Sequence, residues 1–218
     1  MTGRIAALAG GVGVILLAVA SPVAHMDHHL LTAHMAQHLI LMLVAAPLIL
    51  LAARPAALPQ PPLAICWFAG SFTVIFWHIP AIFELAFESH FWHGLEQASF
   101  VLAGILFWRP IIGSSGWSAP IYLFLATLPC DALSAFLAFC GHVVYRPYLS
   151  GHAGMFGLSP LDDQALAGAL MWVAVTFAYL IPALVLTGRL FRPSLRSGVG
   201  GVLRTNEPFG TRMARPKA

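Results

Sequence analysis

Apolar residues in this chain fall into six long runs, at about 4–20, 32–53, 63–80, 92–112, 119–141 and 164–191, with short polar joints between them. Five of these match the ~17–25 residues of a membrane-crossing helix. The first, 4–20, is shorter and Gly-rich. It ends in Ala18-Val19-Ala20 before Ser21, which also fits a signal-peptidase site. Only Arg4 supplies a positive N-region, so an uncleaved helix is favoured. The expectation is an all-α, polytopic transmembrane helical bundle of about six spans, or five if the first is cleaved. Residues 1–20 make the first transmembrane helix or signal-like segment, 21–191 a histidine-rich membrane bundle, and 192–218 a basic, mobile tail.

Composition narrows the class further. Hydrophobic residues are 59% of the chain and charged ones 9%, against roughly 25% charged in soluble domains. The Lys and Arg residues are split ten to one: Arg146 lies on one side, and Arg4, Arg54, Arg109 and the seven from Arg189 to Lys217 lie on the other. By the positive-inside rule both termini are cytoplasmic. The basic tail reads as a topology anchor near anionic lipid, and no nucleic-acid partner is expected. The three cysteines, Cys66, Cys130 and Cys140, make no CxxC, and Cys66 and Cys140 stand at opposite ends of the bilayer.

With that topology, all ten histidines collect on the outer side, along with most of the acids. His34 and His38 stand four apart at the start of the 32–53 run, so a helix puts them about 40° apart on one face. They form a bidentate arm for a transition metal. His93 and Glu96, three apart, share a face at the start of the 92–112 run. Glu96 could be a ligand, a partner fixing the imidazole tautomer, or a first-turn acid favoured by the helix dipole. His78, before Pro80, could be a ligand or could cap carbonyls freed by the proline.

The remaining candidates are weaker. His25, His28 and His29 are loop-borne and His90 frames the turn before 92–112. His142 lies beside Cys140, and His152 falls in the last outer loop. Asp131, near mid-membrane, is either a proton or ion relay or a protonated acid bonded to Ser134 or Thr127. Asp162-Asp163-Gln164 precedes the last run. One acid is explained by capping the helix, and the second leaves room for a ligand. Imidazole suits copper and zinc, copper heads the divalent affinity order, and Met26 and Met35 suit the cuprous ion. No nucleophile–base constellation is present, so an enzyme is not expected.

The sequence resembles the CtaG-like family, assembly factors of caa-type cytochrome c oxidase. The resemblance rests on His34-Met35-Ala36-Gln37-His38-Leu39 with Ala46-Pro47, Trp77-His78-Ile79-Pro80, and His93-Gly94-Leu95-Glu96 with Ser99-Phe100. It continues through Gly104-Ile105-Leu106-Phe107-Trp108, Tyr145, Tyr148, Ser159-Pro160-Leu161-Asp162-Asp163-Gln164, Gly168 and Met171-Trp172. It implies a multi-spanning protein of the bacterial plasma membrane, needed for active haem–copper oxidase on the copper-delivery side. The implied partners are cytochrome c oxidase subunits and a copper chaperone, beside the lipid bilayer. Carried over by position, the implied metal residues are His34, His38, His78 and His93, with Glu96 and Asp163 behind them. Gln97 departs from the family's histidine at that place. The other readings are zinc, a haem-binding membrane cytochrome with ligands on facing helices, and a copper transporter routed through Asp131 and Cys130.

Overall fold

The structure is a computed structural model that describes residues 2–22, 24–53, 61–112, 116–149 and 157–204, with side chains through 191. The described residues form seven helices: α1 (Thr2–Ala20), α2 (Leu31–Ala53), α3 (Leu63–Trp77), α4 (Pro80–Glu88), α5 (His90–Trp108), α6 (Ser118–Phe139) and α7 (Pro160–Arg204). Two short 3-10 turns, Ala24–His28 and Arg146–Leu149, dress one end of the bundle. The all-α membrane bundle read from the hydrophobic pattern is what forms. Helices α1, α2, α6 and the Pro160–Phe191 part of α7 are each long and apolar enough to cross a membrane. Phe68, Phe72, Leu102, Phe136 and Phe177 face outward, as lipid-facing positions do.

Two boundaries differ from the sequence expectation. The 63–80 run stops at Trp77, and the following residues fold into α4, bent 74° from α3. Pro80 explains the break. It lacks an N–H to continue α3, and it opens the first turn of α4, where that N–H is not needed. The segment read as a joint before His93 is therefore a helix that buries Phe83 and Ala86 over the end of the bundle. At the other end, α7 continues to Arg204, past the boundary placed at 191. The rest of the expected tail, 205–218, lies outside the described residues.

The interior of α2 carries the most informative irregularity. Leu41–Ala45 is a single π turn, in which the Ala46 N–H reaches back to the Leu41 carbonyl. In that register the Met42 carbonyl would pair with residue 47, which is Pro47 and has no N–H to give. The indole Nε1–H of Trp108 donates to the Met42 carbonyl instead, at 3.0 Å. Sequence thus sets a weak point in one helix and repairs it from another.

That repair brings α5 hard against α2. A Cβ on Gly104 would sit 2.7 Å from the Ala46 Cβ and 3.0 Å from the Met42 carbonyl oxygen, so no larger residue fits there without separating the helices. Gly168 does the same for α7 on α6, 2.6 Å from the Ala138 nitrogen. Helix α3 packs on α5 and α6, and the first half of α2 packs on α7. The starts of α2, α5 and α7 and the end of α3 consequently meet at one end of the bundle.

Candidate metal centre

Glu96 is the hub of that end. It lies one turn and a half into α5 and has no exposed side-chain surface. Its Oε1 stands 3.5 Å from Nε2 of His34 and 3.5 Å from Nε2 of His38, and its Oε2 stands 3.4 Å from Nδ1 of His93. The four-residue spacing on α2 does what the helical geometry requires. The two imidazole rings lie 4.4 Å apart, edge to face, on the same side of the helix. Phe100 stacks flat on His38 at 4.0 Å and Phe83 of α4 closes over His34 at 4.9 Å. These aromatic walls keep the rings from turning away.

Asp27 completes the cluster from the first loop. Its Oδ2 lies 3.1 Å from His93 Nε2, and the carboxylate is itself buried. Burial works to raise the Asp27 carboxyl, but contact with His93 and the nearby His28, His93 and His34 imidazoles bring it below its ordinary value. For His28, which rests edge-on against Phe87, burial lowers the imidazole against the opposing pull of Asp27. Two overlapping triads result, Asp27–His34–His93 and His34–His38–Glu96, each with one ligand atom per residue within 4.8 Å of the others.

This arrangement suits a transition-metal ion on three grounds. Asp27 Oδ1, His34 Nε2, both ring nitrogens of His38, His93 Nδ1 and both oxygens of Glu96 are buried and have no hydrogen bond within the protein. Buried polar atoms are almost always bonded, so such a concentration at one place needs a reason. The Glu96-to-imidazole separations of 3.4–3.5 Å are close to the ~3.4 Å spacing of neighbouring ligand atoms bound about 2.1 Å from an ion. Finally, with neutral imidazoles, as metal ligation requires, two carboxylates carry the −2 charge that a divalent cation cancels.

The surrounding polar residues hold the ligands in place. Gln37 Nε2 donates to the Ala24 carbonyl at 3.0 Å, leaving Gln37 Oε1 to accept from Gln97 Nε2 at 3.3 Å. Gln97 Nε2 also lies 2.6 Å from His93 Nε2. Gln97 therefore ties His93 to the α2 loop. Ser99 bonds the Glu96 carbonyl at 2.6 Å and accepts from the Trp77 indole at 2.7 Å, which fixes α5 against α3.

Of the six residues read as metal-binding from the sequence, His34, His38, His93 and Glu96 converge. His78 stands one layer deeper, its ring 6.3 Å from that of His38. The structure does not bring Asp163 to the cluster. Both its carboxylate oxygens face the start of α2, accepting the Leu31 N–H at 2.6 Å, the Thr32 N–H at 3.2 Å and the Thr32 hydroxyl at 2.6 Å. Its neighbours are equally occupied: Asp162 bonds Ser159 at 2.6 Å, and Gln164 clips Val144 and the His142 carbonyl. Cys140 and His142 touch each other at 3.5 Å on the exposed surface, away from the cluster. His25 and His90 are exposed, and His152 lies outside the described residues. Asp27 is the contributor that sequence reasoning passed over. Its only signal was an acid among loop histidines, and its burial under Tyr148, whose hydroxyl donates to the Asp27 carbonyl at 2.5 Å, is a tertiary event.

The family model described as cytochrome c oxidase caa3 assembly factor matches residues 1–193, the whole of the helical bundle around the cluster. No curated protein and no solved structure matches the chain.

Proposed function

The chain belongs to the cytochrome c oxidase caa3 assembly factor family, and on that premise we propose that it holds copper at the His34–His38–His93–Glu96–Asp27 cluster and passes it to a nascent oxidase subunit. The observation that carries this reading is Glu96: a fully buried carboxylate, unbonded at both oxygens, with three imidazoles aimed at it. The ionised acids attract the cation and the imidazoles supply the nitrogen donors that copper prefers. In this reading copper is cargo, and the protein has no reaction of its own to perform.

Delivery requires a site that can also let go. Glu96 and His38 lie deep, whereas His93 keeps 17% of its side chain exposed and His28, beside Asp27, 39%. Asp27 reaches the cluster from the first loop, while its other members come from α2 and α5. Movement of the Ala24–His28 turn, which would release the Gln37–Ala24 and His93–Asp27 contacts, would open it toward a partner in the same bilayer. The excess of Lys and Arg away from this end supports an outward-facing cluster, within reach of a copper-bearing domain of the oxidase.

The test uses a strain lacking the gene, complemented with wild type or with the His34→Ala, His38→Ala pair, grown at limiting copper. Wild type should restore oxidase activity and oxidase copper content. The variant should insert normally yet behave as the deletion, with partial rescue by added copper. Full activity from the variant at limiting copper would refute delivery from this cluster.

A further inference from the structure

Below the cluster, one pair of groups is arranged in a way the divalent site does not use. His78 Nδ1 lies 2.7 Å from the Val74 carbonyl, and its Nε2 lies 3.1 Å from Sδ of Met35. A carbonyl only accepts, so the proton of a neutral imidazole is on Nδ1 and Nε2 carries a lone pair. A thioether also has only lone pairs to offer. Two electron-pair donors therefore face each other, both in residues that are more than nine-tenths buried. The His78 backbone is held as well, since its carbonyl accepts from the buried Tyr145 hydroxyl at 3.0 Å.

The space beside this pair is equally distinctive. Met35, His38 and His78 line a cavity of about 40 Å³ together with Met42, Cys130 and Met171. Among the described residues lining it there is no carboxylate, and four of its walls are sulfur-bearing side chains. A chamber of this chemistry rejects hydrated hard cations and offers no charge to balance a divalent one. Soft sulfur and imidazole donors without an anionic group suit a monovalent, polarisable ion.

We propose that Met35 Sδ and His78 Nε2 form a second metal site, specific for a soft monovalent cation of the Cu(I) class, opening on the sulfur-lined cavity beneath the histidine–carboxylate cluster. His38 borders both places, with one side toward Glu96 and the other toward the cavity. The bundle thus contains two stations stacked along α2 that differ in charge and hardness: an acidic one for a divalent ion and a neutral one for a cuprous ion. Naming copper as the ion rests on the reading of the upper cluster, but the preference for a soft monovalent cation follows from the lower donors alone.

The experiment uses full-length protein in detergent, with selenomethionine in place of methionine. Cu(I) is supplied anaerobically from a chromophoric chelator, with Ag(I) as a stand-in that cannot change oxidation state. Cu–Se scattering in X-ray absorption should appear in the wild type and vanish in Met35→Leu. Cu(I) affinity should fall in that variant by at least the ~10–100-fold that loss of even a supporting group costs. His78→Ala should lose the same Cu(I) binding, and serves if Met35→Leu does not fold. Cu(II) binding should be unchanged in Met35→Leu. An imidazolium N–H bonded to sulfur would instead give a wild type without Cu–Se scattering, and that result overturns the proposal, as does undiminished scattering in Met35→Leu. Glu96→Gln separates the two readings. Loss of Cu(II) with Cu–Se scattering retained supports both, while retention of both ions refutes the upper site and leaves the lower one standing.

Discussion

Asp163, in the first turn of α7, accepts the backbone N–H of Leu31, the first residue of α2, at 2.6 Å across 132 residues of sequence. Helix α2 brings no capping side chain of its own, since the preceding position is Leu30. A borrowed carboxylate on free amides at a helix start is stabilising twice over, through the hydrogen bonds and through the helix dipole. Asp163 therefore sets the position of the helix that carries His34 and His38 without joining their cluster.

The Asp163→Ala variant should lose stability by about 1–3 kcal/mol, the range for a removed cap or a charged hydrogen bond. Asp163→Asn, which keeps one acceptor, should lose less. Thermal unfolding in detergent checks the order, and metal per folded protein should stay near wild type in Asp163→Asn. Loss of metal at unchanged stability would identify Asp163 as a ligand.

Gly104 offers a test of how the bundle positions the site. The Gly104→Ala methyl would press on Ala46 and Met42 at 2.7–3.1 Å, two turns below Glu96, and overpacking of this kind costs about 1–3 kcal/mol. Copper affinity should fall together with stability, because α5 carries Glu96 and His93 away from α2 as one rigid piece. Gly94, on the same helix, has nothing within 4 Å of its would-be Cβ. Gly94→Ala should leave copper binding intact and should not lower stability, as alanine is the better helix former.

The π turn of α2 predicts a non-additive pair. Trp108→Phe leaves the Met42 carbonyl unbonded inside the bundle, at a cost of about 1–3 kcal/mol. Pro47→Ala supplies an N–H that can reach that carbonyl along the helix. In a double-mutant cycle the loss from Trp108→Phe should therefore be smaller when residue 47 is alanine. Strict additivity of the two changes would show that Trp108 acts by packing alone.

Much of this was legible in the sequence, for identifiable reasons. Hydropathy and charge asymmetry act over whole segments, so the helices, the membrane class and the collection of histidines at one end follow from counting. His34 with His38, and His93 with Glu96, needed only the 3.6-residue period. What could not be read was pairing across helices. Glu96 could be a ligand, an imidazole partner or a first-turn acid, and its burial between His34 and His38 comes from packing of α5 on α2. Asp163 looked like a spare acid because the helix it caps is distant in sequence. The joint after His78 became α4 because Pro80 can open a helix as well as end one, and local sequence does not decide between the two. Asp27 and the Met35–His78 pair depend on packing and left no periodic trace.

The most direct measurement is the copper content of purified wild-type protein beside Glu96→Gln. Gln keeps the size of Glu96 and can still bond to imidazole, but it removes the charge at the hub of the three histidines. Wild type should carry close to one Cu(II) at the cluster, released by a strong chelator. Glu96→Gln should fold to the same helical content and lose that ion, with no haem Soret band in either. Stoichiometric Cu(II) in Glu96→Gln, or a wild type that binds none, would contradict the account.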